Sequence, residues 1–194
     1  PPATDEHPMR PPALAWLIST CLLAACPGQG GARPIPPVEQ VDLDRFMGDW
    51  YVIASIPTAM ERGAHNAVET YSRAPDGRID TVFRFRKDGP EGELETMTRT
   101  GFVRDGTNNA VWGMQFVWPI KAEYIIASLA DDYSDTIVAR NRRDYVWIMA
   151  RTPTLPESRY RELVAEVAEM GSPPPRLRGA PQQCPEPAPR PPLR

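Results

Sequence analysis

Between residues 41 and 171 the sequence breaks into short apolar and β-branched runs separated by turn residues, and that rhythm dictates an all-β chain. The spacing predicts strands over 50–56, 68–72, 79–86, 94–103, 110–118, 124–129, 136–140 and 145–151. Pro75-Asp76-Gly77, Lys87-Asp88-Gly89 and Asp105-Gly106 fall in the intervals, where glycine accepts the positive φ of a tight turn. Eight antiparallel strands joined in sequence close into an up-and-down barrel, which leaves no exposed edge. One helix follows. Thr154 and Glu157 stand at capping-box spacing around Pro156, then Tyr160, Leu163, Val164, Val167 and Met170 recur at helical intervals until Gly171 ends the segment. That stripe is predicted to cover the outside of the barrel. The opposite face carries Glu157, Glu162, Glu166 and Glu169, which argues against a helix lying in a membrane.

The flanks read differently. Residues 1–8 precede Met9 and are taken as an upstream extension. Residues 9–25 have the layout of a secretory signal: Arg10 near the start, an apolar run too short to anchor in a bilayer, and small residues before Cys26. Leu23-Ala24-Ala25-Cys26 resembles a bacterial lipobox, which implies that Cys26 begins the mature protein and carries acyl chains. An ordinary cleaved signal with an incidental cysteine is the competing reading. Residues 26–40 are rich in Gly and Pro and suit a flexible tether, and residues 172–194 are expected to form a disordered Pro-rich tail.

Charge and cysteine use exclude several functions. The formal charge is -3, and removing Asp5, Glu6 and Arg10 with the signal leaves -2, so no basic stripe is available for nucleic acid. Cys21, Cys26 and Cys184 all fall outside the domain, which therefore folds without an internal disulfide. His65 is the sole histidine beyond the upstream extension, and the domain offers no His/Cys cluster and no cysteine nucleophile. Neither a metal nor a cofactor is expected.

An eight-stranded barrel is either filled by side chains or holds one small ligand. Over 79–86, Ile79, Thr81, Phe83 and Phe85 alternate with Asp80, Arg84 and Arg86, which turns the first set inward. Trp112, Met114, Phe116 and Trp118 share a face of the fifth strand; Tyr124 and Ile126, with Trp147 and Met149, continue that wall. Both faces of the eighth strand are largely apolar, so its phase stays open. The segment 57–66 is predicted to cross the open end, where Arg62 and His65 could meet an anionic head group.

Three motifs tie these elements to a family. Gly48-Asp49-Trp50, the turn Asp131-Asp132-Tyr133 and Arg151 at the end of the last strand occur in the order and at the separations found in the lipocalins, and residues 41–171 resemble that family. Asp131 stands where many members have Thr. Glu61-Arg62-Gly63 and the run 142–154 make the chain most similar to bacterial outer-membrane lipoprotein lipocalins and apolipoprotein D. The resemblance implies an eight-stranded lipocalin barrel whose closed end is built by Gly48, Trp50 and Arg151, with Asp132 and Tyr133 in the conserved turn. It further implies a fatty acid or lysophospholipid as ligand, bound for storage or transport in outer-membrane maintenance under stress. The protein would be anchored by lipid to the outer membrane, facing the periplasm. A lipocalin-fold isomerase and a structural lipoprotein with a filled barrel remain the alternatives, and a homodimer is compatible with the pattern.

Overall fold

The computed structural model describes residues 32–58, 61–172 and 176–183; the signal, the lipobox with Cys26, and Cys184 lie outside them. A one-turn helix α1 (Leu43–Phe46) leads into strands β1 (Gly48–Ile56), β2 (Ala64–Arg73), β3 (Ile79–Lys87), β4 (Leu94–Val103), β5 (Val111–Val117), β6 (Ile120–Leu129), β7 (Asp135–Ala139) and β8 (Val146–Ala150). Helix α2 (Glu157–Glu169) and a two-residue strand β9 (Arg178–Gly179) complete the order. Each strand from β2 to β8 pairs antiparallel with its sequence neighbour, and β1 pairs with both β8 and β2, so the eight strands close as expected.

The barrel has two hydrophobic layers. Inside it, Trp50, Tyr71, Phe83, Phe85, Trp112, Ile126 and Met149 are almost fully buried. Outside, Ile125, Ile137, Val146 and Ile148 pack beneath Leu163 and Val167 of α2. Every residue of β7 and β8 is buried for that reason. The eighth-strand phase is thereby decided: Trp147 and Met149 face the interior, Val146 and Ile148 the helix.

Arg159 fixes α2 in place, donating from Nε and Nη2 to the buried carboxylate of Asp135 at 3.0 and 2.8 Å. The expected capping box does not form. The N-cap is Pro156, with no side-chain cap, because the residue before a proline is driven to extended backbone and the helix starts only after it. The C-terminus closes as predicted on Gly171, at φ +76°, with the Gly171 N–H bonded to Ala168 O and the Ser172 N–H to Val167 O.

The closed end forms from residues far apart in sequence. Asp42 caps α1 through the N–H groups of Asp44 and Arg45, which lays Phe46 against Trp50, Tyr71 and Trp112 with ring centroids 5.0 to 5.5 Å apart. The Arg151 guanidinium lies 3.8 Å over the Trp50 ring and donates to the carbonyls of Asp49, Arg45 and Phe46. Gly48 sits at φ +93°, where an added Cβ would meet that guanidinium at 3.5 Å. Tyr133 also has positive φ; its hydroxyl accepts from the Asp42 N–H, and Asp132 Oδ1 accepts from the Ser134 N–H.

Three further expectations need correction. The tether is not free up to residue 40: Ile35 is buried in the outer core, and the Val38 N–H bonds to Ile126 O. The tail is not wholly disordered. Ser172 is buried, and β9 pairs with Ala54 and Ser55 of β1, because β1 and β2 stop pairing beyond Tyr51 and leave backbone groups to satisfy. Finally, Trp118 does not share the inward face of Trp112 and Met114. A bulge between Gln115 and Val117 breaks the alternation, leaving Trp118 82% and Phe116 38% exposed.

Candidate functional site: an open cleft beside a buried charge cluster

Past Tyr51 the β1–β2 seam opens, and residues 178–183 occupy it. The Ala180 N–H bonds to Ile53 O, the Asn66 N–H to Pro181 O, and Gln182 Nε2 donates to both Val52 O and Ala67 O. Beside this strap lies a cleft of about 770 Å³, open to solvent on one side. Val52, Ala67, Phe83 and Trp147 form its inner wall. Arg62, His65, Arg176 and Arg178 stand on its rim with Asp144. The volume lies in the range of small-molecule sites, and the apolar wall with a cationic mouth suits an amphiphile with a negative head.

Deeper in, three charged side chains meet among aromatic rings. Arg99 on β4, Glu69 on β2 and Glu61 in the β1–β2 loop are all buried, with side chains at most 4% exposed. Arg99 Nη2 is 3.5 Å from Glu61 Oε1 and Nη1 is 3.7 Å from Glu69 Oε2, and neither oxygen receives a hydrogen bond. Burial pushes the Glu69 carboxyl up to about 8 against the pull of Arg99 and the Thr81 hydroxyl, and the Glu61 charge pushes the same way. Burial also raises Glu61, opposed by the Thr58 N–H and by Arg99. The Tyr71, Tyr124 and Tyr145 hydroxyls are held well above their ordinary value by burial. Beside Arg99 and Glu69, bordered by Met114, Phe116, Tyr124 and Trp147, is a void of about 20 Å³.

The residues expected to line one cavity therefore divide into three groups. Phe83 and Trp147 face the cleft, with Arg62 and His65 at its rim. Met114, Phe116 and Tyr124 border the inner void. Phe85, Trp112 and Ile126 line neither space and are packing residues, Trp112 stacking on Tyr124 at 5.1 Å. Sequence reasoning missed Glu61, Glu69 and Arg99, and also Arg176 and Arg178. A signal was present for two of them: Glu69 lies between Ala67 and Tyr71, and Arg99 between Met97 and Gly101, each at an inward phase of its strand. Among the described residues no three His, Cys, Asp or Glu side chains converge as a metal site, and no helix is long and apolar enough to cross a membrane.

The comparisons with known proteins agree with this architecture. Insecticyanin from the tobacco hornworm Manduca sexta superposes with a TM-score of 0.59 at 17% identity, over 77% of this chain and 85% of its own. The outer membrane lipoprotein Blc of Citrobacter freundii is 28% identical over 160 residues, covering 82% of this chain and 90% of its own length. Apolipoprotein D of Bos taurus is 30% identical over 157 residues, covering 75% and 78%. A lipocalin-like domain profile matches residues 41–182, which includes the barrel and all but the last residue of the strap. Closed topology, the Trp50–Arg151 end and that match together make this chain a member of the lipocalin family.

Proposed function

We propose that the protein is a lipid-binding lipoprotein of the bacterial outer membrane, anchored through acylated Cys26 and facing the periplasm. It takes up fatty acids or lysophospholipids for storage or transport in membrane maintenance under stress. The observation that carries this reading is the 770 Å³ cleft, whose wall is apolar and whose rim holds Arg62, His65, Arg176 and Arg178. Burying about eight methylenes of an acyl chain supplies roughly 6 kcal/mol, in the tens-of-micromolar range, so head-group contacts set the final affinity. The exposed tip Val117-Trp118-Pro119-Ile120 joins β5 to β6 at the same end of the barrel as the cleft and supports a mouth that faces lipid. The outer-membrane lipoprotein relatives support the location.

Native mass spectrometry of gently purified protein should show co-purified lipid and report the subunit number. Ala67→Trp, which places an indole into the cleft from β2, should weaken binding of a lysophospholipid while circular dichroism stays unchanged. Unaltered affinity in the folded variant would put the ligand elsewhere. Cys26→Ala should release the protein from the outer-membrane fraction, and a variant that still fractionates there would contradict the anchor.

A further inference from the structure

A buried guanidinium carries five N–H donors that normally find oxygen acceptors. In Arg99 they do not. The hydrogen bond its guanidinium makes among the described residues goes to Met97 Sδ, at 3.4 Å. Its two carboxylate neighbours stand at 3.5 and 3.7 Å, close enough to balance charge and too far to bond well. Phe83 and Phe116 cover the guanidinium, with ring centroids at 5.3 and 4.7 Å. Leaving buried polar groups unmade is costly, and Glu61 Oε1 and Glu69 Oε2 are two such oxygens beside this guanidinium, with the small void next to Glu69 and Arg99. Glu61 borders the open cleft and Glu69 borders the void, so the cluster joins the two spaces.

We propose that Arg99, with Glu61 and Glu69, is the receptor for the carboxyl group of a long-chain fatty acid, and that the acid is bound together with one proton from solvent. This rests on the cleft being the lipid site; a fatty acid then enters head first to the cluster, and the rim cations Arg62, Arg176 and Arg178 serve the larger phosphate heads of lysophospholipids. The reason is charge balance. One guanidinium offsets one anion, and an unpaired charge among Phe83, Phe116, Tyr124 and Trp147 is strongly unfavourable. By that balance, the two carboxyl groups that share Arg99 in the free protein hold one proton between them. In the complex three carboxyl groups share it and must hold two. The ligand arrives ionised, so the second proton comes from water. Tyr71 and Tyr124, whose hydroxyls are 2.5 Å apart, and Tyr145 face the cluster and stay neutral. Arg140, Glu123 and Asp144 lie at the margins of the two spaces. The site thereby selects a single carboxylate over a neutral head group, and does so more strongly as pH falls.

The test uses the mature protein and displacement of the neutral dye N-phenyl-1-naphthylamine by dodecanoate and by dodecanol between pH 6 and 8. Dodecanoate affinity should fall about tenfold per pH unit, the slope of one linked proton, while dodecanol stays flat. Calorimetry in two buffers of different ionisation enthalpy should show uptake of about one proton with dodecanoate. Arg99→Gln should weaken dodecanoate by about 30-fold relative to dodecanol, the worth of a charge-assisted contact. Glu61→Gln combined with Glu69→Gln should remove the pH slope. Equal pH-independent binding of both compounds, with no proton uptake, overturns the inference and leaves the lipid-binding function standing. Failure of both compounds to bind lipid-free protein overturns that function too.

Discussion

Arg151 shows how much of the barrel's closed end one side chain holds together. Its guanidinium covers the Trp50 ring and ties three carbonyls from α1 and β1, so the indole is a plug with a lid. Trp50→Ala should lower stability by about 3 to 5 kcal/mol in urea titrations, since a large buried ring leaves a hole that cannot fully collapse. Arg151→Ala should cost less. Because both act through the same ring, a double-mutant cycle should give a total smaller than the sum, and full independence would show that the contact contributes nothing. Phe116 carries the opposite lesson. Strand alternation makes it an inner-wall residue, yet it is more than a third exposed and lies against Arg99, so an aspartate there would gain an ion pair instead of standing alone in hydrocarbon.

Among the elements, the strap formed by residues 178–183 is the least regular and the most informative. It reaches both strands of an open seam, with β9 on β1 and the Asn66 N–H on Pro181 O. It also brings Arg178 to the rim of the cleft, where Arg176 stands as well. Truncation before residue 176 should therefore accelerate amide exchange at Asn66 while leaving the β3–β4 ladder protected, and it should weaken lysophospholipids more than fatty acids. Unchanged protection at Asn66 would mean that the seam closes without the strap. Helix α2, by contrast, behaves as its apolar stripe dictates. Leu163 and Val167 bury against the outer face of the sheet, and the Arg159–Asp135 pair sets its position.

For the whole molecule, the buried cluster makes stability depend on pH in a definite direction. Glu69 titrates near 8 in the folded protein and near its ordinary 4.5 when unfolded, so between those values the folded state holds more protons. Stability from this group is complete at low pH and is lost as pH rises toward 8, with at most the slope of one linked proton. Glu61 acts in the same sense. The urea midpoint should drop between pH 6 and 8, and Glu69→Gln should flatten that drop; a midpoint that rises over this interval would contradict the assignment. The sequence by itself determined the strand number, the inward phase of β3 and the outer stripe of α2, because period-two alternation, helical spacing and turn residues are local signals that each segment carries alone, whereas the Gly48–Trp50–Arg151 end was legible only through the resemblance to the lipocalins. Only the tertiary structure decided that a bulge turns Trp118 outward, that a Pro-rich tail closes the β1–β2 seam, and that Glu61, Glu69 and Arg99 meet. Those outcomes depend on which backbone groups lack partners once the barrel closes, and on which inward charges from separate elements reach the same depth. No local pattern encodes either.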